Sequence, residues 1–83
     1  MIANEIPNSR KAVGGPATKF VYFIIQFHHP VDQTELIRLS GLPRRTVQGV
    51  IEDLKRQSLI TESAGIEDAR RKVYDLAFES IKN

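Results

Sequence analysis

The residues most able to bind a ligand are two adjacent arginines, Arg44 and Arg45, which follow Pro43 at the start of a predicted helix. A helix N-terminus carries about half a positive charge, so a cation in the first turn is disfavoured by ~0.3–1 kcal/mol. The helix also lacks a Ser, Thr, Asp or Asn N-cap, and Pro43 removes one unpaired N–H group without satisfying the others. A phosphate at this end would accept hydrogen bonds from those N–H groups and pair with an arginine.

The sequence gives little support for a catalytic or metal-binding site. His28 and His29 are adjacent, so their side chains diverge on a helix and lack the i, i+4 spacing of a helical zinc pair. With no cysteine there is no thiolate ligand. Gly14-Gly15 is not followed by the Lys-Ser/Thr of a phosphate-binding loop. We expect neither an enzyme nor a bound metal or cofactor.

The size and charge of the chain limit its function further. At 83 residues it is one small domain, able to bury only ~60% of the surface of its unfolded chain. A net charge of +2 permits a nucleic-acid partner without requiring one. The longest apolar run, residues 20–25, is far short of the ~20 residues that span a bilayer, and no signal-peptide pattern is present. These features predict a soluble, cytoplasmic protein without membrane contact.

The chain divides into three parts by composition. Residues 1–15 contain Pro7 and a glycine pair without clear periodicity and are predicted to form a flexible arm, residues 16–77 a folded domain, and residues 78–83 a tail. A first helix is predicted from residue 16 to residue 29, ended by Pro30. Its predicted core stripe is Phe20, Phe23, Ile24 and Phe27. Off that stripe, either ordinary burial or a dimer surface would explain the apolar residues Val21, Tyr22 and Ile25.

The next segment predicts two helices joined by a short turn. Asp32 and Glu35 have the spacing of a capping box, so a second helix is expected from about Gln33. Gly41 can adopt the left-handed conformation that ends this helix, and Pro43 begins the next. So short a connection containing glycine is typical of a helix-turn-helix.

The third helix has one narrow apolar stripe. The residues at i, i+3, i+4 and i+7 spacing are Val47, Val50, Ile51 and Leu54. The opposite face holds Arg45, Gly49, Glu52 and Arg56. An exposed glycine within a helix costs roughly 1 kcal/mol relative to alanine, so Gly49 either lets another backbone approach closely or is incidental. After the third helix, residues 59–63 and 71–77 have the two-residue period of a hairpin. The predicted fold is therefore mainly α with a small β-hairpin, an α+β arrangement of three helices and then two strands.

The stretch "TELIRLSGLPRRTVQGVIEDLKRQSLITES", followed by "EDARRKVYDLA", resembles the winged helix-turn-helix of bacterial and archaeal transcription regulators, and is most similar to the MarR type. The resemblance covers about residues 17–77. The residues that carry it are Leu42, Thr46, Val47, Ile51, Leu54, Leu59, Ile60, Asp68, Arg70, Val73, Tyr74 and Leu76. Pro43 and Ser58 depart from the family pattern, which usually has Ser or Thr and Gly at these positions. Full-length relatives also have long terminal helices for dimerisation, so their dimer mode is not carried over.

The resemblance implies sequence-specific binding of double-stranded DNA by a transcription regulator. The third helix, about residues 43–57, would enter the major groove, and the wing, about residues 63–72, would contact phosphates or the minor groove. On the third helix, Arg45, Gln48 and Gly49 are the candidates for base contacts, since Arg can pair with guanine and Gln with adenine. Phosphate contacts are expected from Arg44, Thr46, Gln33, Thr34, Arg70, Arg71 and Lys72, with Asp68 orienting Arg70.

Glu52 would repel phosphates unless it pairs with Arg45 or Arg56 along the helix or accepts from a cytosine. The intrahelical pair is favoured.

A homodimer is expected, through Val21, Tyr22 and Ile25 of the first helix or through the termini. The pair Arg10-Lys11 is expected to lie either in a minor groove or in a disordered tail.

The alternative function is a winged helix used for protein–protein contact in a transcription or replication assembly. Glu52, Glu67 and the apolar first helix would suit this function.

Overall fold

The computed structural model of the chain describes residues 12–77, which form three helices and three short strands. In chain order they are α1 (Pro16–His28), β1 (Val31–Asp32), α2 (Gln33–Ser40), α3 (Arg44–Arg56), β2 (Ile60–Ala64) and β3 (Lys72–Leu76). The three predicted helices and the hairpin are confirmed. The predicted tail and the Arg10-Lys11 pair lie outside the described residues.

The sheet has one strand more than the sequence predicted. Its three strands are antiparallel in the order β1-β3-β2. In β1, Val31 lies opposite Tyr74 and Asp32 opposite Val73. The two-stranded prediction missed β1 because two residues are too few to show a two-residue period. This strand joins the wing to the start of α2.

One core lies between the helices and the inner face of the sheet. The predicted stripe of α3 is confirmed, since Val47 and Leu54 are fully buried and Val50 and Ile51 nearly so. Leu36 of α2 is also fully buried. The buried stripe of α3 fixes which of its side chains face outward.

The predicted core stripe of α1 was wrong. Of its members only Ile24 is buried, whereas Phe20, Phe23 and Phe27 are 44%, 55% and 59% exposed. The inward residues are instead those predicted to lie off the stripe, Val21, Tyr22 and Ile25. This helix carries two apolar stripes of helical period, and the period alone does not say which one faces the core. Because Val21, Tyr22 and Ile25 are buried, they cannot form a dimer surface.

The residues before α1 are partly held in place. Ala12 is buried against the core. The Val13 N–H donates to Gln57 Oε1 at 2.9 Å, and Gln57 Nε2 donates to the Val13 carbonyl at 2.7 Å. These contacts involve Ala12 and Val13 of the predicted arm, and residues 1–11 lie outside the described part of the chain.

The turns around α2 and α3 follow local chemistry. The Glu35 N–H donates to Asp32 Oδ1 at 2.8 Å, which is one of the two bonds of the predicted capping box. The Glu35 side chain pairs with Arg38 and does not complete the box. Gly41 has a φ of 72°. Pro43 is the N-cap of α3 and not its first residue, so the helix begins at Arg44. At the other end Ser58 has a φ of 61°. Within residues 12–77, no helix is both long and apolar enough to cross a membrane.

Candidate nucleic-acid interface

The start of α3 is uncapped and positively charged. Pro43 makes no side-chain capping bond, and no acidic residue lies in the first turn. The first intrahelical bond runs from the Val47 N–H to the Pro43 carbonyl at 3.0 Å. The N–H groups of Arg44, Arg45 and Thr46 therefore have no intrahelical acceptor. These donors and the helix dipole favour a bound anion.

Both arginine side chains at this end are exposed and unpaired. Among residues 12–77 no carboxylate pairs with Arg44 or Arg45. Gln48 and Gly49 are exposed on the same part of α3, and a Cβ atom built at Gly49 would meet nothing within 4 Å. The packing of the domain therefore does not require a glycine at this position.

Glu52 forms an intrahelical ion pair, as predicted, but with a different partner. Lys55 Nζ lies 3.3 Å from Glu52 Oε2, and Arg56 pairs with Asp53 at 2.5 Å. Glu52 therefore does not pair with Arg45, which was one of its two predicted partners. The basic charge of α3 that remains unneutralised lies at the start of the helix.

The three basic residues of the wing are each paired with a carboxylate. Asp68 Oδ1 accepts from the Arg70 N–H at 3.0 Å and from Arg70 Nε at 3.3 Å, which confirms the contact implied by the resemblance. Arg71 donates to Asp32 Oδ2. Lys72 Nζ lies 3.6 Å from Glu62 Oε2. Arg70 remains the most exposed of the three, with 92% of its side chain in solvent.

An ion pair connects the wing to the end of α3. Lys55 Nζ lies 2.8 Å from Glu62 Oε1. This hydrogen bond lowers the pKa of the Glu62 carboxyl and raises the pKa of the Lys55 ammonium. Burial raises the pKa of Tyr74, which lies opposite Glu62 in the sheet. Glu62 thus contacts two lysines and stays ionised at neutral pH.

Five of the predicted contact residues meet in one shallow cleft. The cleft has a volume of about 200 Å³ and lies between the start of α2 and strand β3. Its lining comprises Gln33, Thr34, Arg70, Arg71 and Lys72, together with Asp32 and Tyr74. The predicted contacts of α3 do not line it. The candidate interface therefore has two parts, the start of α3 and this cleft.

A larger cavity beside the wing has a more acidic lining. It measures about 570 Å³ and shares Asp32 and Arg71 with the cleft, and its other carboxylates belong to Glu67, Asp68 and Asp75. His29 Nδ1 lies 2.7 Å from Asp75 Oδ1. Carboxylates repel phosphate, so this side of the wing does not suit a DNA backbone. Within the described residues no group of three or more His, Cys, Asp or Glu side chains could hold a metal ion.

Sequence reasoning missed two features of the surface. Asp32 was interpreted only as a helix cap, although it also contacts Arg71, 39 residues later in the chain. No local pattern reports such a contact. The exposed stripe of Phe20, Phe23 and Phe27 was placed in the core, although its three-and-four-residue spacing was visible.

The sequence matches no protein-family model and no curated protein. Its fold, however, is similar to those of several solved structures. A probable transcriptional regulator from Pseudomonas aeruginosa is 30% identical and superposes with a TM-score of 0.72, over 76% of this chain and 48% of that one. A transcriptional regulator from Thermotoga maritima is 26% identical with a TM-score of 0.69, over 75% and 44%. S. aureus MepR, solved as a DNA complex, is 20% identical with a TM-score of 0.68, over 75% and 52%.

The chain has the winged-helix fold of MarR-family regulators. α2 and α3 are the helix-turn-helix of this MarR-like domain, and β2 and β3 with the loop between them are its wing. The chain spans about half the length of the regulators it matches. These structural neighbours are transcription regulators and not enzymes.

Proposed function

We propose that the MarR-like domain binds double-stranded DNA sequence-specifically, as the DNA-binding domain of a transcription regulator without catalytic activity. The observation that carries this proposal is the start of α3, where Arg44 and Arg45 are exposed and unneutralised beside uncapped N–H groups. An arrangement that costs stability in the isolated domain becomes favourable when a phosphate binds there. The regulator fold of its structural neighbours supports the same conclusion.

Different roles are proposed for the residues along α3. Arg45, Gln48 and Gly49 face solvent and are assigned to base edges in the major groove, where Arg pairs best with guanine and Gln with adenine. Gly49 lets the DNA approach the helix backbone. Arg44 and Thr46 are assigned to phosphates, which set the position of the helix without reading sequence.

The cleft between α2 and the wing is assigned to the DNA backbone. Gln33 and Thr34 are the first residues of α2, so a phosphate in the cleft would also meet the N–H groups of that helix end. Arg70 supplies the most exposed cation of the wing. Lys72 lies beside it, partly neutralised by Glu62.

A homodimer on a palindromic site is part of the proposal. The surface assigned to the second copy is the exposed stripe of Phe20, Phe23 and Phe27, in which the rings of Phe23 and Phe27 lie 4.8 Å apart. Three exposed aromatic rings in one row are typical of an interface core. Phe23→Ser with Phe27→Ser is expected to shift sedimentation toward monomer. Ile66→Ser, which removes a fully exposed apolar residue from the wing loop, is expected to leave sedimentation unchanged.

Salt-dependent binding to duplex DNA tests the function directly. Each phosphate neutralised makes the slope of log affinity against log salt more negative by about 0.9. A titration with a random duplex pool is therefore expected to show a steep fall in affinity between low and moderate salt. Selection from the same pool is expected to recover a palindrome. A chain that binds no duplex at low salt would contradict the proposal.

The second candidate function is a protein–protein module in a transcription or replication assembly. The exposed phenylalanine stripe favours it, because such a stripe also suits a protein partner. The two functions separate in the same titration, since a protein-binding module has no reason to bind duplex DNA with a steep salt dependence. Capture of a partner that depends on Phe23 and is unaffected by substitution of Arg44 and Arg45 would favour the module.

A further inference from the structure

Asp32 lies where three parts of the domain meet. Its backbone belongs to β1, opposite Val73 of β3. Its Oδ1 atom accepts from the Glu35 N–H at 2.8 Å and so caps α2. Its Oδ2 atom accepts from the guanidinium of Arg71. One carboxylate therefore connects the start of α2 to the wing.

Arg71 in turn closes the wing loop through its backbone. Its N–H donates to the Asp68 carbonyl at 3.0 Å, and its carbonyl accepts from the Gly65 N–H at 2.7 Å. Gly65 has no room for a side chain, since a Cβ atom there would lie 2.9 Å from the Asp68 carbonyl oxygen. The loop that carries Arg70 is thus closed at Arg71, and the side chain of Arg71 holds that point to Asp32.

The Arg71 side chain is less exposed than that of its neighbour Arg70. The Asp32 side chain is only 21% exposed and that of Arg71 is 56% exposed, compared with 92% for Arg70. Both Asp32 and Arg71 line the shallow cleft described above. The ion pair between them adds a side-chain contact to the backbone pairing of Asp32 with Val73.

We propose that Asp32 is a positioning residue that holds the wing to the start of α2 through Arg71, and that Arg71 does not neutralise a DNA phosphate. This inference rests on the proposed DNA-binding function for its consequence. The width of the cleft then depends on an intramolecular ion pair, and Arg70 is the arginine of the wing that contacts DNA. The inference reassigns Arg71 from the predicted contact set.

Asp32→Asn is the informative substitution, because asparagine caps helices about as well as aspartate and leaves α2 intact. It removes a negative charge near the DNA, so electrostatics alone predicts tighter binding. The proposed tether, the ion pair of Asp32 with Arg71, predicts weaker binding by up to about fivefold, the value of a surface ion pair. Arg71→Ala is expected to weaken binding similarly without changing the salt slope, and the double variant to be no weaker than either single one.

Two matched controls accompany these variants in duplex titrations against salt. Glu35→Gln removes the same charge from the first turn of α2, from a carboxylate that pairs with Arg38 and not with the wing, and is expected to bind at least as tightly as the wild type. Arg70→Ala is expected to reduce the salt slope by about 0.9.

The tether is overturned if Arg71→Ala reduces the salt slope as much as Arg70→Ala does and Asp32→Asn binds more tightly, while the wild type still binds duplex. If the wild type binds no duplex, the proposed function fails instead. The Asp32–Arg71 contact is then tested by urea unfolding of the wild type, Asp32→Asn, Arg71→Ala and the double variant. Non-additive losses in Asp32→Asn and Arg71→Ala support it, and additive losses overturn it.

Discussion

The start of α3 and the wing carry similar basic runs but present them differently. At the start of α3, Arg44 and Arg45 have no carboxylate partner among residues 12–77. In the wing, Asp68, Asp32 and Glu62 each contact one of the three basic residues. The contact made by Asp32 joins the wing to β1 and the start of α2, whereas those made by Asp68 and Glu62 lie within the wing.

A basic run is therefore not by itself a binding surface. A cation that is already paired gains less from a phosphate, because it must give up its carboxylate or share it. An unpaired cation at a helix N-terminus gains more, since the phosphate also relieves the unfavourable charge. We therefore expect the start of α3 to provide most of the affinity and specificity, and the wing to provide orientation.

Single substitutions of the two arginines should produce the largest change, and should separate their roles. Arg45→Ala is expected to relax the preference for one base position by ~1–3 kcal/mol, since a bidentate pair with guanine would be lost. Arg44→Ala is expected to weaken binding to all sequences alike and to keep the preference. Selection from a random duplex pool with each variant measures both effects. Equal loss of preference in the two variants would contradict the assigned roles.

Gly49→Ala should move stability and binding in opposite directions. Alanine is expected to stabilise α3 by about 1 kcal/mol, since the added Cβ meets nothing within 4 Å in the protein. Duplex binding is expected to weaken, because the methyl group would stand between the helix backbone and the DNA. Urea unfolding and duplex titration of one sample measure the two quantities. A variant that is more stable and binds equally well would show that Gly49 is incidental.

Ser58→Gly should stabilise the connection between α3 and the wing. Ser58 has a φ of 61°, its N–H donates to the Lys55 carbonyl at 2.9 Å, and the Leu59 N–H donates to the Leu54 carbonyl at 3.0 Å. This is the Schellman motif, in which glycine avoids a left-handed penalty of roughly 1 kcal/mol. Urea unfolding is expected to show a gain of up to that size, with duplex affinity unchanged. A loss of stability would mean that the serine hydroxyl outweighs the backbone penalty.

Glu62→Gln should have the smallest effect, visible as a change in pH dependence. The pKa of Glu62 lies below its ordinary value of 4.5 because of Lys55, so the ionised carboxylate stabilises the fold above that value. This contribution is lost as the pH falls through the lowered pKa. The variant is expected to be slightly less stable at neutral pH and to approach the wild type in acid. The difference is small because solvent screens both groups, and a gap that widens in acid would contradict the sign.

Local chemistry made much of this fold predictable from the sequence. The stripe of Val47, Val50, Ile51 and Leu54, the cap at Asp32 and the turn at Gly41 depend on neighbours within one or two turns of helix, and all three are confirmed. Features that depend on distant residues were missed or wrong. The orientation of α1, the strand β1 and the Asp32–Arg71 contact each depend on parts of the chain far apart in sequence.

The candidate site divides in the same way. Exposure of Arg45, Gln48 and Gly49 follows from the helical period once the buried stripe is known. The partners of the charged residues do not follow, since Glu52 pairs with Lys55 and not with either predicted arginine. Whether a basic residue is available to DNA therefore requires the three-dimensional arrangement of carboxylates.

Two double variants of α3 that lose the same charge show whether its unpaired cations, and not its paired ones, bind DNA phosphates. Arg44→Gln with Arg45→Gln removes the unpaired cations at its start, and Lys55→Gln with Arg56→Gln removes the paired cations at its end. In duplex titrations against salt, the first is expected to make the salt slope shallower by about 0.9, because Arg44 is assigned to a phosphate and Arg45 to a base edge. The second is expected to keep the wild-type slope. Equal salt slopes for the two variants would contradict the proposed phosphate contact at the start of α3, because the cations there would then act only through the net charge of the domain.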